Sequence, residues 1–144
     1  MPILSGDALQ QSARIAEVAR FVGDVAKSTQ FYETLLGSPP TEAFPGGAIF
    51  ADNEPQLLIH KELAAQPGQP PNENHIAVSV TDVDDKFAEL QRCGYCVVSP
   101  PKRFDWGYSA YFRDPAKNLI ELTQANSVQP EAGLPFDANA DNAT

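Results

Sequence analysis

The sequence predicts a single α+β domain assembled from two copies of one strand–helix–strands unit. Three observations carry that reading. Glu17-Val-Ala-Arg-Phe-Val-Gly-Asp24 is echoed 58 positions later by His75-Ile-Ala-Val-Ser-Val-Thr-Asp82, and self-similarity at a fixed offset marks a duplicated unit. In both stretches apolar residues alternate, then switch to helical spacing after an aspartate, the pattern of a strand running into an N-capped helix. The 144 residues, 42% of them hydrophobic, supply one core and fall in the usual single-domain range.

In the first unit Val18 and Val22 share a face of the opening strand and Asp24 is placed to cap the helix. Phe31, Leu35 and Leu36 form the apolar stripe of that helix, expected to pack on the sheet, and Gly37 ends it. Short β-like runs broken by Pro39, Pro40, Gly46 and Gly47 lead to a closing strand, Gln56-Leu-Leu-Ile-His60. The second unit repeats the order: Ile76, Val78 and Val80 on one strand face, Asp82 as cap, Phe87 and Leu90 on the helix, and Gly94 as its stop. Strands at 95–98, 107–112 and 119–123 follow, with a turn at Asp114-Pro-Ala-Lys-Asn118. The resulting division is an unpatterned arm (1–13) and one domain (14–125). Within the domain, module one is 14–62, module two is 75–125, and a proline-rich linker, 63–74, joins them. Residues 126–144 contain no Lys or Arg and are expected to form a flexible acidic tail unless Leu134-Pro-Phe136 docks on the body.

Ten basic against nineteen acidic residues leave a net charge of −9, which argues against nucleic acid or an anionic membrane as partner. The chain has no apolar run long enough to span a bilayer, and its N-terminus lacks the basic region and apolar core of a secretory signal. The expectation is a cytoplasmic protein with a small-molecule ligand. Cys93 and Cys96 form a C-x-x-C, but no second pair completes a zinc site, so both are expected to be small buried side chains.

Strand parity sorts the remaining residues, because alternate residues share a face. If Val18, Val22, Ile76, Val78, Val80, Ile120 and Leu122 pack under the helices, then Glu17, Ala19, Phe21, His75, Ala77, Ser79, Glu121 and Thr123 point the other way. Leu58 and His60 join that second face, as do Ser109 and Tyr111. It carries two carboxylates and two imidazoles in place of an apolar stripe. Such a face must curve around something, pair with another copy, or hold a ligand.

Three segments, Asp24 to Gly37, His75 to Asp82 and Phe112-Arg-Asp-Pro-Ala-Lys-Asn-Leu-Ile-Glu-Leu122, resemble the vicinal oxygen chelate superfamily of glyoxalase I, fosfomycin-resistance enzymes, bleomycin-resistance proteins and extradiol dioxygenases. The resemblance spans roughly residues 14–124. It implies paired βαβββ modules whose sheets close into a half-barrel cup, a site inside the cup, and completion of the fold as a homodimer. Carried over by position, His75 and Glu121 match the superfamily's ligand types. Glu17 stands where His or Gln is usual, and Leu58 stands where glyoxalases have Glu. His60, two residues beyond Leu58, is the candidate substitute ligand.

A Glu17, His75 and Glu121 set offers mixed O/N donors suited to Zn, Ni, Mn, Fe or Co with positions left open. In a glyoxalase-like reading Glu121 doubles as the catalytic base beside a polarised carbonyl. Phe21, Phe50, Trp106 and Tyr111 are candidate substrate-binding walls, and Arg103, with Lys102 and Arg113, a candidate cationic rim. Tyr111 resembles the anion-binding tyrosine of fosfomycin-resistance enzymes, although Ala19 and Pro130 depart from that pattern. Two functions follow. One is a metal-dependent lyase, isomerase or dioxygenase acting on a substrate with adjacent oxygens. The other is a metal-free binding or sequestration protein of the bleomycin-resistance type, its acidic cup suited to a cationic ligand.

Overall fold

The computed structural model describes residues 12–124 apart from 65 and 70. The expected tail at 126–144, with Leu134-Pro-Phe136, and all but the last two residues of the arm at 1–13 lie outside them. Eight strands and two helices run in the order β1 (Ala13–Val22), α1 (Val25–Leu36), β2 (Glu42–Phe44), β3 (Gly47–Phe50), β4 (Gln56–Lys61), β5 (His75–Val80), α2 (Val83–Arg92), β6 (Cys96–Phe104), β7 (Gly107–Arg113) and β8 (Leu119–Gln124). All eight strands belong to one curved sheet of order β2-β3-β4-β1-β5-β8-β7-β6.

That order displays the duplication. In each unit the first strand pairs in parallel with the last, β1 with β4 and β5 with β8. The units join antiparallel along β1 and β5, so both halves of the cup come from one chain.

Local chemistry explains the helix ends. Asp24 and Asp82 sit in extended backbone and accept from the amides of Lys27 (3.0 Å) and Asp85 (3.1 Å), satisfying otherwise orphaned donors. Gly37 ends α1 at φ 79°, a left-handed conformation that glycine adopts without steric cost. At the far edge β6 continues through Pro100 and Pro101, beyond the expected 95–98 strand. An edge strand tolerates prolines because one side has no ladder to supply, and register shifts at Val97/Ser99 and Ser99/Lys102 absorb them.

The better packed half is the second. Val80, Val83, Ala110, Phe112 and Leu122 form a buried cluster, with Val78, Phe87, Leu90, Val97 and Tyr108 against it. Phe87 and Phe112 meet at 5.2 Å, as the helical spacing of Phe87 and Leu90 predicted.

Four expectations are corrected. Phe31 (59% exposed), Leu35 (64%) and Leu36 are not under the sheet, and α1 contributes no buried residue. Spacing shows which residues share a helix face but not which face meets the sheet; here Val25, Ala26 and Thr29 face β2 and β3 across a cleft of about 620 Å³. Cys93 and Cys96 are free and exposed, because one caps α2 and the other opens an edge strand. Phe50, 1% exposed, registers with Leu57, which registers with Val18. It therefore lies on the helix-side face and is no wall of the cup. Arg103 is aligned with Tyr108 and lies over its ring at 5.5 Å. Since Tyr108 packs on the helix-side cluster, Arg103 faces away from the cup too.

Candidate functional site

Two register rows build the floor of the cup. In one, Gln56, Glu17, Ala77, Glu121 and Tyr111 stand side by side on β4, β1, β5, β8 and β7. In the next, Leu58, Ala19 and His75 do so on β4, β1 and β5. Ala19 and Ala77 are buried; their short side chains leave room for Glu17 and Glu121 to approach over one alanine, and for His75 and Leu58 over the other.

His75 and Glu121 meet directly, Nε2 to Oε1 at 3.2 Å, with each side chain only 6% exposed. His75 Nδ1 stands 2.8 Å from the Glu73 carbonyl. A carbonyl only accepts, so Nδ1 carries a hydrogen and the neutral ring presents a bare Nε2 lone pair to Glu121. Two lone pairs cannot face each other unoccupied; a proton or a cation belongs between them. Burial pulls the imidazole down, but hydrogen bonds to Glu121 and to the Glu73 carbonyl, with the charges of Glu121 and Glu17, outweigh it and raise its pKa. Glu73 is itself clamped by Arg113 at 2.6 and 3.1 Å, so Arg113 supports the histidine through this pair and does not form a free rim.

The other oxygen of Glu121 is held from two sides. Ser109 Oγ donates to Oε2 at 2.8 Å and the Trp106 indole N–H at 3.2 Å, and the Tyr111 hydroxyl hydrogen-bonds the same carboxylate. With one hydrogen on Ser109, its 2.9 Å contact to Thr123 is a bond it accepts. Burial first, then the charge of Glu121 and the bond to it, push the Tyr111 hydroxyl far up, keeping it a neutral donor. Tyr111 also meets His75 edge to face at 6.0 Å.

Glu17 is held by Gln56 Nε2 at 2.6 Å. Burial raises its pKa most, Gln56 opposes, Glu121 raises it further and His75 lowers it, for a net upward shift. Phe21 lies against His60 at 5.1 Å and His75 at 6.1 Å. His60 turns Nδ1 to the Lys61 carbonyl at 2.7 Å, and no hydrogen bond or ion pair joins it to Glu17, His75 or Glu121. Among the described residues no three His, Cys, Asp or Glu side chains are gathered for a metal. His75 and Glu121 form a pair, with Glu17 as the charged neighbour.

That pair nevertheless suits a divalent ion. Ligand atoms about 2.1 Å from an ion and roughly 90–109° apart stand about 3.0–3.4 Å from each other, a range that contains the observed 3.2 Å. A ligating histidine typically donates its other N–H to a carbonyl or carboxylate, as His75 does.

Sequence reasoning missed Gln56, Glu73 and the clamp by Arg113. Parity alone places Gln56 on the cup face with Leu58. Glu73 acts through its main chain from outside a strand, and no side-chain pattern announces that.

The two shifts give a pH dependence. Glu17 and His75 both bind protons more tightly in the folded chain than at their ordinary values of 4.5 and 6.5, so folding stability falls as pH rises through each window. The Glu73 carboxylate, lowered chiefly by its bond to Arg113, acts oppositely but only on the acid side. Metal-free protein is therefore expected to melt at lower temperature at about pH 8 than at about pH 6, with His75→Gln flattening the difference. A rising melting temperature over that interval would contradict the assignment.

Comparisons with known proteins agree with this architecture. Residues 14–122 match the profile of the Glyoxalase/Bleomycin resistance protein/Dioxygenase superfamily. Uncharacterized protein YraH of Bacillus subtilis (strain 168) is 29% identical over 123 residues, covering 76% of this chain and 96% of its own. A glyoxalase/bleomycin resistance protein/dioxygenase superfamily member from Vibrio splendidus 12B01 shares the fold at TM-score 0.61 and 12% identity, over 78% of this chain and 99% of that one. The Mn(II)-bound glyoxalase of Novosphingobium aromaticivorans does so at TM-score 0.56 and 22% identity, over 86% of this chain and 46% of that one. Methylmalonyl-CoA epimerase from Mycobacterium tuberculosis does so at TM-score 0.61 and 18% identity, over 81% and 89%. With the profile matched across both units, the chain belongs to the Glyoxalase/Bleomycin resistance protein/Dioxygenase superfamily.

Proposed function

We propose that this protein is a divalent-metal-dependent enzyme of the glyoxalase-like type, acting on a small substrate with adjacent oxygens by lyase, isomerase or dioxygenase chemistry. The observation that carries the reading is the His75 Nε2 lone pair facing Glu121 Oε1 at 3.2 Å in a buried site. His75, Glu121 and Glu17 would hold the ion, drawn from Zn, Ni, Mn, Fe or Co. Bound there, it supplies a Lewis acid for a carbonyl or enediolate oxygen.

The chain's own groups divide the remaining work. Glu121 is engaged at both oxygens, whereas Glu17 has Gln56 as its hydrogen-bond partner and a raised pKa. Proton transfer at the carbon beside the carbonyl therefore suits an oxygen of Glu17 left off the ion better than Glu121, which has neither oxygen free. Tyr111, whose one hydrogen goes to Glu121, stands edge to face against the His75 ring, and Phe21 keeps an apolar wall beside it.

Elemental analysis of protein purified without chelator or affinity metal, with calorimetric titration of the metal-free form, tests the reading. Near-stoichiometric uptake of one of these ions is expected; failure to bind any of them overturns it. A second reading, metal-free sequestration of a cationic ligand, draws on Leu58 in place of a glutamate and on the acidic cup. It is excluded if the protein binds metal but no cationic aromatic compound by calorimetry. The reading also includes a homodimer, supported by the exposed Phe31 and Leu35 of α1; a monomeric elution volume at micromolar concentration would overturn that part.

A further inference from the structure

The β6–β7 hairpin carries the chain's single tryptophan, Trp106, and its position does not fit a simple substrate wall. The side chain is 52% exposed, yet its indole N–H reaches Glu121, a residue only 5% exposed, at 3.2 Å, and also Ser109 Oγ at 3.3 Å. A half-exposed ring normally samples several orientations. This one is braced. It stacks flat on Phe104, centroids 4.7 Å apart and planes 2° from parallel. Phe104 in turn lies 5.6 Å from the Lys102 ammonium, and Lys102 donates to the Gly68 carbonyl of the linker.

We propose that Trp106 is a positioning residue for Glu121: its N–H fixes Oε2 so that Oε1 stays turned toward His75 Nε2. A glutamate has three side-chain torsions, and a carboxylate free to rotate presents either oxygen, or both, to an ion. With Oε2 engaged by Trp106 and Ser109, only Oε1 remains for the histidine side. Ser109 fixes the oxygen from the sheet, where Thr123 anchors it. Trp106 fixes it from solvent, the side on which nothing else among these donors closes the site. Outer-shell donors of this kind commonly govern metal affinity by about 10–100-fold. The role rests on the metal-binding reading above.

The test compares wild type with Trp106→Phe, which keeps a ring against Phe104 but has no N–H, both metal-free and titrated with Co²⁺. In wild type, Co²⁺ should quench Trp106 emission saturably with the dissociation constant found by calorimetry. Trp106→Phe should bind Co²⁺ about 10–100-fold more weakly, with a changed visible Co²⁺ spectrum and an unchanged circular dichroism spectrum. In metal-free protein the lone indole N–H resonance should move on Glu121→Gln. Trp106→Phe binding Co²⁺ as tightly as wild type with the same visible spectrum, or an unmoved indole resonance, overturns this role alone. A wild type that takes up no Co²⁺ overturns the metal-binding reading and this role with it.

Discussion

His75→Ala is expected to abolish divalent-metal binding while leaving the fold intact. The imidazole is the one nitrogen donor of the set, and its Nε2 is aimed at Glu121 because two main-chain features fix it: β5 begins at His75, and the Glu73 carbonyl takes the Nδ1 hydrogen. What remains after truncation is Glu121, with Oε2 held by Ser109 and Trp106, and Glu17, held by Gln56. Neither is positioned to replace a second donor beside Oε1. Loss of an outer-shell partner weakens metal sites by about 10–100-fold, so loss of the ligand itself should exceed about 100-fold. Calorimetry on metal-free wild type and variant measures it directly. Unchanged metal occupancy in His75→Ala would show that the ion, if present, sits elsewhere. The variant should also lose the fall in stability between about pH 6 and pH 8, since that fall comes from a histidine whose charged form Glu121 stabilises.

Much of the cup was legible because strand parity is a strict constraint: a one-residue error would have sent Glu17, His75 and Glu121 to the helix side. The antiparallel β1–β5 pairing and the two parallel closures then put those three residues in adjacent rows. The same argument succeeded for Tyr111, which the register sets beside Glu121. It did not reach Phe50 or Arg103, because their faces depend on pairing registers, β3 with β4 and β6 with β7, that no single-strand pattern contains. Phe31 and Leu35 show a different limit. Helical spacing is satisfied whether the stripe faces the sheet or solvent, and the packing of α1 on the sheet is mainly against β3 and β4. His60 was the candidate substitute ligand because it shares the face of Leu58, yet face is not proximity. It registers with Phe21, one row beyond His75, and the Phe21 ring occupies the space beside it.

Leu58→Glu should convert the site to a four-ligand set and tighten metal binding, at a cost to the metal-free protein. The duplication states why. In the second unit the candidate ligand on β5 is His75, and Glu121 lies on β8 two residues past Leu119, the register partner of His75. In the first unit the equivalent of His75 is Glu17, and Leu58 lies two residues past its register partner Gln56 on β4. Leu58 flanks Ala19 opposite His75, as Glu17 flanks Ala77 opposite Glu121, so a carboxylate at 58 would approach the imidazole over a buried alanine. Without a cation, a third carboxylate in this half-buried cup adds repulsion to Glu17, whose proton affinity is already raised by burial and by Glu121, and the desolvation penalty of an added charge is several kcal/mol when it is unpaired. With a cation, that charge becomes a ligand. Each tenfold gain in affinity adds about 1.4 kcal/mol of stabilisation at saturating metal. The expected result is a melting temperature below wild type in chelator, and a larger rise than wild type on adding Zn²⁺ or Mn²⁺. Equal or smaller rises would mean that residue 58 does not reach the ion, and that the leucine reflects a site built around His75, Glu121 and Glu17 alone.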